Sequence, residues 1–363
     1  MENLSISSAP EVVDHANGDL SVVTTDRHGH RYETLVTKSY GGNIVNPSSA
    51  TAEKIFFGEG TPEEIEAEGF TVLMPMQANG KCGANCVDCP FASQNHPGIK
   101  ANQIDPDTAL HVLETTLKEW NARRPSKLGN SGMGFGVSFV MAGDAGFNTK
   151  TDEVLYAIAE YEGVNRIRMS TIAAKNTEGR NPLKAFIRAV KRSKSSDSKA
   201  NQVKWRLQVS IHNTDEEERR NYVNGVAHDS KETLNLRVYG LDEIAVAFNE
   251  LVRITGRKGV LAFTCNGKTS IDPEKLIRAG LTPHSTSISL RDTRKDDARA
   301  SRWGILPRNV FSKIYLSLRS PRKVDDIPYP PFDTVIMHSS QEGGELERHI
   351  NRTKADVEST LIS

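Results

Sequence analysis

Three of the four cysteines of this 363-residue chain stand close together, and this run constrains the chain more than any other feature. Cys82, Cys86 and Cys89 occupy positions i, i+4 and i+7 of the segment KCGANCVDCPF. Three thiolates in one short loop can ligate three irons of a cubane cluster and leave the fourth iron without a protein ligand. Such an iron can bind a cosubstrate, just as a catalytic zinc ion keeps an open coordination position. The spacing therefore predicts a [4Fe-4S] cluster with one open corner.

Three other uses of these cysteines stay open as alternatives. A structural zinc site takes four ligands, commonly as two pairs, and no second C-x2-C or H-x3-H pair follows, although His96 would serve as a fourth ligand. A disulfide framework is typical of small cysteine-rich secreted chains, whereas this chain has four cysteines in 363 residues. Three unrelated buried cysteines are the third alternative.

Composition and charge bear on the compartment and on the partners. The sequence has no apolar run long enough for a transmembrane helix, and residues 1–16 are polar rather than basic and then apolar. We therefore predict a cytoplasmic protein with no membrane partner, in a compartment where thiols stay reduced. The 46 basic and 46 acidic residues cancel, which disfavours RNA as the substrate because phosphate binding needs a basic excess. Basic stretches at 188–206 and 291–323 keep RNA as an alternative.

The pattern of apolar segments predicts three regions. Residues 1–70 form an N-terminal extension with a β-hairpin over 21–37 that packs on, or covers, the main domain. Residues 71–300 alternate short apolar segments with helical patterns, which predicts right-handed βαβ units and a parallel sheet curled into a partial (β/α)6 barrel. Residues 301–363 form a C-terminal extension with a last strand over 334–338. The six predicted strands of the main domain are 71–76, 137–141, 164–169, 205–211, 260–264 and 285–290.

Polar residues cluster where these strands end. The cysteine loop follows the first strand, and the clusters after the others are Gly143 and Asp144, Ser170 and Thr171, Ser210 and His212, Cys265 and Asn266, and Arg291 and Asp292. In a parallel barrel, chemistry collects on loops at the carboxyl ends of the strands. Because independent signals meet at one edge, we expect an active site there.

The cysteine spacing closely resembles that of the radical S-adenosylmethionine (radical SAM) superfamily, whose open iron chelates the amino and carboxylate groups of SAM. Over about residues 71–295, the motifs most resemble the dual-cysteine radical SAM RNA methyltransferases that modify an adenine carbon. Residues 140–148 are similar to that family's Gly-Glu motif, with Asp144 in place of the glutamate. Residues 169–171 resemble its Leu-Ser-Thr strand end, and residues 209–219 resemble its Ser-Leu-His stretch and the Asn-Asp run that follows.

The resemblance implies two cofactors, a [4Fe-4S] cluster on the three clustered cysteines and SAM. It also implies an electron donor such as flavodoxin or ferredoxin. By the same resemblance, Gly143 and Asp144 lie at the amino group of SAM and Ser170 contacts SAM. Ser210 and His212 would face its ribose and its methionine portion. Without the neighbouring motifs, these two residues would be interpreted as an ordinary strand-end serine and a histidine whose hydrogen bonds are satisfied within the protein.

This chain departs from the resemblance in two places. Asp88 stands where many radical SAM loops carry an aromatic residue that stacks on adenine, and Phe91 is the nearest substitute. No cysteine follows Cys265, so the methyl-carrying cysteine of the RNA methyltransferases has no C-terminal counterpart. Cys265 itself would donate a hydrogen atom to a substrate radical, accept a methyl group, or be an ordinary buried residue.

We therefore predict a radical SAM enzyme that cleaves SAM and abstracts hydrogen from a small-molecule or nucleotide-type substrate. The alternatives are an RNA or nucleotide methyltransferase that uses Cys265, and a zinc-stabilised binding module without catalysis.

Overall fold

A computed structural model describes residues 9–15, 19–37, 70–79, 82, 84, 86, 103–124, 134–141, 143–175, 181–211, 213–224, 236–265, 272–282, 284–292 and 333–338. Within these ranges the chain forms a ten-stranded sheet, a small two-stranded sheet and helices that pack on one face of the large sheet. Among the helices in these ranges, none combines the length and the apolar character that crossing a membrane requires.

The large sheet contains ten strands, which are β1 (Glu11–Asp14), β2 (Leu20–Thr25), β3 (Arg31–Thr37), β4 (Thr71–Met74), β5 (Phe135–Phe139), β6 (Val164–Thr171), β8 (Lys204–Ile211), β10 (Gly259–Cys265), β11 (Thr286–Asp292) and β12 (Asp333–His338). The small sheet pairs β7 (Ala174–Lys175) with β9 (Arg237–Val238). The helices are α1 (Pro106–Arg123), α2 (Thr151–Glu160), α3 (Pro182–Lys194), α4 (Glu216–Val223), α5 (Leu241–Thr255) and α6 (Pro273–Arg278).

The large sheet is antiparallel at its N-terminal side and parallel elsewhere. Strands β1 to β4 pair antiparallel, and the strands from β4 onward pair in parallel in the order β4-β5-β6-β8-β10-β11-β12. The α/β class, the parallel sheet, the hairpin, the six strands of the main domain and the last strand are thereby confirmed, with ends shifted by a few residues. The curling of the sheet into a partial barrel stays a prediction.

Two helices begin at an Asp-Pro pair, which the sequence carries at 105–106 and at 272–273. The Asp105 carboxylate accepts the Thr108 N–H at the start of α1, and Asp272 accepts two backbone N–H groups at the start of α6. Each acid caps donors that the first helical turn leaves unsatisfied, and a proline follows it at the first helical position. The structure adds strand β1 and helices α2 and α4, which the sequence patterns did not predict.

The apolar core lies between the helices and one face of the sheet. In β6, Ile167 and Met169 point into it, and in β8 so do Trp205 and Leu207. The Trp205 ring meets Phe186 of α3 edge to face, with centroids 5.6 Å apart and planes at 85°. Burying a side chain of this size stabilises the fold by about 1.5–3 kcal/mol. This face therefore holds the helices on the sheet and fixes where the strands end.

Candidate active site

The face of the sheet opposite the helices, termed the inner face, is polar. Successive side chains of a strand point to opposite faces, so the residues that alternate with the core residues of β6 and β8 share the inner face. These residues are Arg166, Arg168 and Ser170 of β6 and Arg206, Gln208 and Ser210 of β8. The three arginines and Gln208 are buried, and the two serines are half-buried.

A chain of hydrogen bonds runs up the inner face toward the carboxyl ends of the strands. The Arg168 guanidinium donates to Gln208 Oε1, and Gln208 Nε2 donates to Ser170 Oγ at 3.2 Å and to Ser210 Oγ at 3.4 Å. Because a guanidinium has only donors, the arginine fixes which end of the Gln208 amide faces it. Arg168 therefore sets the orientation of the amide that faces both serines.

This arrangement leaves the serines with a hydroxyl proton to offer. The two Oγ atoms lie 3.3 Å apart, and each already accepts from Gln208. One hydroxyl can donate to the other, which leaves the proton of the second hydroxyl for another acceptor. A ligand oxygen at the edge, such as a sugar hydroxyl or a carboxylate, fits such a donor.

Arg166 lies across the neighbouring strand. A Cβ atom on Gly136 of β5 would lie 3.0 Å from Arg166 Nε and Nη2, so the guanidinium occupies the space that a side chain there would fill. Its Nη2 reaches Thr71 Oγ1 of β4 at 3.5 Å. Together with Arg168 and Arg206, it gives the inner face three cationic groups.

The cysteine loop meets the loop after β5 at this edge. Cys82 Sγ accepts the Ala84 N–H at 3.5 Å and the Asp144 N–H at 3.3 Å. Backbone N–H groups that point at sulfur stabilise thiolate and tune the reduction potential of a cluster that it ligates. The surroundings of Cys82 therefore fit a ligand of an iron–sulfur cluster.

Cys86 is buried in a small apolar cluster with Ala84, Val223, Leu236 and Val238. Phe147, Ile172 and Tyr222 pack against this cluster from the loops after β5 and β6 and from α4. Apolar surroundings restrict the access of solvent to a metal site and so influence its potential. Among the residues that the structure describes, no three His, Cys, Asp or Glu side chains are arranged to hold a metal ion. Cys89, the third predicted ligand, lies outside these residues, as does His96.

Asp144 links the end of β5 to the end of β6. Its Oδ1 accepts the Gly146 N–H at 2.7 Å and the Thr171 hydroxyl at 2.8 Å, and its Oδ2 accepts the Ile172 N–H at 2.7 Å. Burial raises the pKa of this carboxyl, and the three hydrogen bonds oppose the rise without cancelling it. In this structure the carboxylate holds the segment after β5 against the end of β6. Its contact with the amino group of SAM stays a prediction.

No protein-family model matches the chain, and no curated protein has a significantly similar sequence. Solved structures do match it. The crystal structure of a radical SAM methyltransferase from Sphaerobacter thermophilus matches with a TM-score of 0.51 and 15% identity, over 91% of this chain and 76% of that one. The chain shares the fold of this radical SAM methyltransferase. Streptococcus suis SuiB bound to S-adenosylmethionine matches with a TM-score of 0.40 and 9% identity, over 93% of this chain and 73% of that one.

The fold brings most of the predicted site residues to one edge of the sheet. Cys82, Gly143, Asp144, Ser170 and Ser210 all follow or close neighbouring parallel strands. The backbone of Cys265 closes β10 at the same edge, paired with that of Asp292. His212, Asp88, Phe91 and Asn266 lie outside the residues that the structure describes.

Sequence reasoning missed Arg168, Gln208 and the bond from Thr171 to Asp144. One signal for the first two was present. Strands buried on both faces of a parallel sheet usually read as continuous apolar runs, whereas β6 and β8 place arginine, glutamine and serine at every second position. Such an alternation predicts a sheet with one apolar face and one polar face.

Proposed function

We propose that this protein is a radical SAM enzyme, with a [4Fe-4S] cluster on Cys82, Cys86 and Cys89. When bound, the cluster supplies the electron that cleaves SAM to a 5'-deoxyadenosyl radical, which abstracts hydrogen from the substrate. One observation carries the proposal: the Asp144 N–H donates to Cys82 Sγ at 3.3 Å, which joins the cysteine loop to the edge where Ser170 and Ser210 lie.

The chain's own residues bind, orient and exclude water. Cys82 and Cys86 supply thiolates, one supported by backbone N–H groups and the other enclosed by apolar side chains. Ser170 and Ser210, oriented through Gln208, offer a hydroxyl donor to the ribose or carboxylate oxygens of SAM. His212 would complete this part of the site.

The substrate we favour is a small molecule or nucleotide-type metabolite that carries a negative charge. The three arginines of the inner face support this choice, because guanidinium groups suit carboxylates and phosphates. The zero net charge of the chain favours a small anion over folded RNA. We expect flavodoxin or ferredoxin to supply the electron.

Anaerobic reconstitution with iron and sulfide tests the cluster. The wild-type chain should bind about four iron and four sulfide ions and turn brown, and Cys82→Ala should lose most of them. Cys265→Ala is the matched control, and it should keep the full complement because Cys265 is not a predicted ligand. A colourless wild-type protein with one zinc ion per chain would refute the proposal and support the binding module.

Methyl transfer is the alternative reaction, and the position of Cys265 at the end of β10 is the observation that favours it. Incubation with methyl-deuterated SAM, strong reductant and candidate nucleotides separates the two reactions. Deoxyadenosine without a methylated product supports hydrogen abstraction, whereas deuterium on Cys265 supports the methyl relay.

A further inference from the structure

Gln77 lies in the segment between β4 and Cys82, and its side-chain amide is buried without a hydrogen bond to the described residues. The residue is 1% exposed, and neither Oε1 nor Nε2 has a partner within the part of the chain that the structure describes. More than nine in ten buried polar groups have a partner, and leaving one unsatisfied costs free energy. A fully buried amide with neither end satisfied by the described residues keeps its donor and its acceptor available to a ligand.

The amide lies against the peptide that supports the cysteine loop. A Cβ atom on Gly143 would be 2.7 Å from Gln77 Cβ and 2.8 Å from Gln77 Oε1. The next residue, Asp144, donates its N–H to Cys82 Sγ. Gln77 and the sulfur of a predicted cluster ligand thus both contact the Gly143-Asp144 segment.

The backbone around Gln77 is fixed. Gln77 forms an isolated antiparallel bridge with Gln103, and the carbonyl of Met76 accepts from the Ile104 N–H at 3.3 Å and from Asn148 Nδ2 at 3.1 Å. These bonds hold the backbone at Gln77 in place. Its position is a property of the folded chain.

The carboxylate of Asp144, which also lies beside Gly143, has little capacity left to bind a ligand. Asp144 already accepts three hydrogen bonds, from Gly146, Thr171 and Ile172. A carboxylate has about four acceptor positions, so little capacity is left for a ligand. Compared with Asp144, Gln77 keeps its full hydrogen-bonding capacity open within the described residues.

We propose that Gln77 is a positioning residue for the amino-acid end of SAM, accepting from the ammonium group through Oε1 and donating to the carboxylate through Nε2. The chemistry of the amide selects this ligand, because it presents one acceptor and one donor group side by side and a zwitterion satisfies both. A cluster sulfide would satisfy Nε2 alone. The inference rests on the proposed radical SAM function and names a residue of its cosubstrate site.

The test compares wild type with Gln77→Met, which keeps the length of the side chain and removes its polar atoms. Both full-length proteins are reconstituted anaerobically, and SAM affinity is measured by equilibrium dialysis. The variant should bind SAM about tenfold to a hundredfold more weakly, as expected for lost hydrogen bonds to charged groups. The change that SAM causes in the electron paramagnetic resonance spectrum of the reduced cluster should need correspondingly more SAM.

Thermal stability without SAM is the second readout. Replacing an unsatisfied buried amide by an apolar group of the same size should leave the melting temperature unchanged or higher. A lower melting temperature would overturn the inference, because it would show that the amide stabilises the fold itself.

The matched control is Thr24→Val on β2. Thr24 is also 1% exposed and its hydroxyl also has no partner in the described chain, so the variant removes a comparable group. It should bind SAM as wild type does. Wild-type affinity in Gln77→Met, with SAM binding intact in the other two proteins, would overturn the Gln77 inference alone. If the wild-type protein binds no SAM, the proposed function fails together with it.

Discussion

The two faces of the large sheet differ in chemistry although they are built from the same strands. In β6 and β8, the side chains toward the helices are Ile167, Met169, Trp205 and Leu207, and those between them are arginine, glutamine and serine. The first set excludes water and holds the helices. The second set keeps donors and charge at the base of the candidate site. Within one strand, neighbouring residues therefore serve stability and chemistry separately, and mutations can test this division.

The largest effect is expected on the helix-facing side. Trp205→Ala should lower the free energy of unfolding by about 3–5 kcal/mol, because it opens a cavity against Phe186. Urea unfolding measures this change. Val246→Ala on α5, where the side chain is 69% exposed, is the control and should change the value by less than about 0.5 kcal/mol. A loss below about 1 kcal/mol in Trp205→Ala would break the comparison.

Asp144→Asn should come next, with a loss of about 3 kcal/mol in the free energy of unfolding. The asparagine NH2 group would face one of the three donors that the carboxylate now accepts. Asp152→Asn, which removes an ion pair with Arg188, is the control and should cost less than about 1 kcal/mol.

The pH dependence sharpens the Asp144 prediction. Because the pKa of Asp144 is raised from 3.8 in the folded state, the folded protein binds the proton more readily than the unfolded chain. The stability of wild type relative to Asp144→Asn should therefore increase as the pH falls through the raised pKa and level off below about 3.8. An advantage that shrinks over this range would contradict the direction of the shift.

Gly143→Ala should cost about 2 kcal/mol and weaken SAM binding. The φ angle of Gly143 is 92°, a region unfavourable for alanine, and the added Cβ would overlap Gln77. Unfolding and equilibrium dialysis measure the two effects. Gly256→Ala, at a similar φ of 70° with open space around it, is the control, and it should lose stability without losing SAM affinity.

The smallest effects on stability are expected for two serine variants, one on each side of the sheet. Ser210→Ala on the inner face should change the free energy of unfolding by less than about 1 kcal/mol and weaken SAM binding about fivefold to tenfold. Ser193→Ala in α3 should lower the free energy of unfolding by more than Ser210→Ala does and leave SAM affinity unchanged. Ser193 accepts a hydrogen bond from Trp205 Nε1 at 3.3 Å and donates one to the Ala200 carbonyl, and both are lost in the variant. Equal SAM affinities in the two variants would remove the functional half of the comparison.

The sequence predicted the elements whose signals are local. Asp105 and Asp272 each precede a proline and cap a helix, and the strands of the parallel sheet carry apolar residues, at every second position in β6 and β8. Helix α2 was missed because Lys150 at its start makes no side-chain cap, and α4 because only Arg219 and Val223 are buried in it. Strand β1 is largely exposed and lacks an apolar pattern.

In the candidate site too, features that are local in the sequence could be predicted, and features that depend on distant contacts could not. The spacing of the cysteines and the polar residues at the strand ends could be found in the sequence, because each lies within a few positions of the next. The roles of Gln77 and Gln208 depend on residues that are distant in the sequence, such as Gly143 and Arg168. Contacts of this kind exist only once the register of the sheet is set, so sequence reasoning had no means to identify them.

Strand β4 has a partner on both of its edges. One edge of β4 is bonded to β3, through Leu73 and Leu35 and their neighbours, and the other edge to β5. A strand has two edges for hydrogen bonding, so β12 at the far end of the sheet has no position on β4 to occupy. The hairpin formed by β2 and β3 therefore occupies the edge of β4 that β12 would need in order to close the sheet into a ring.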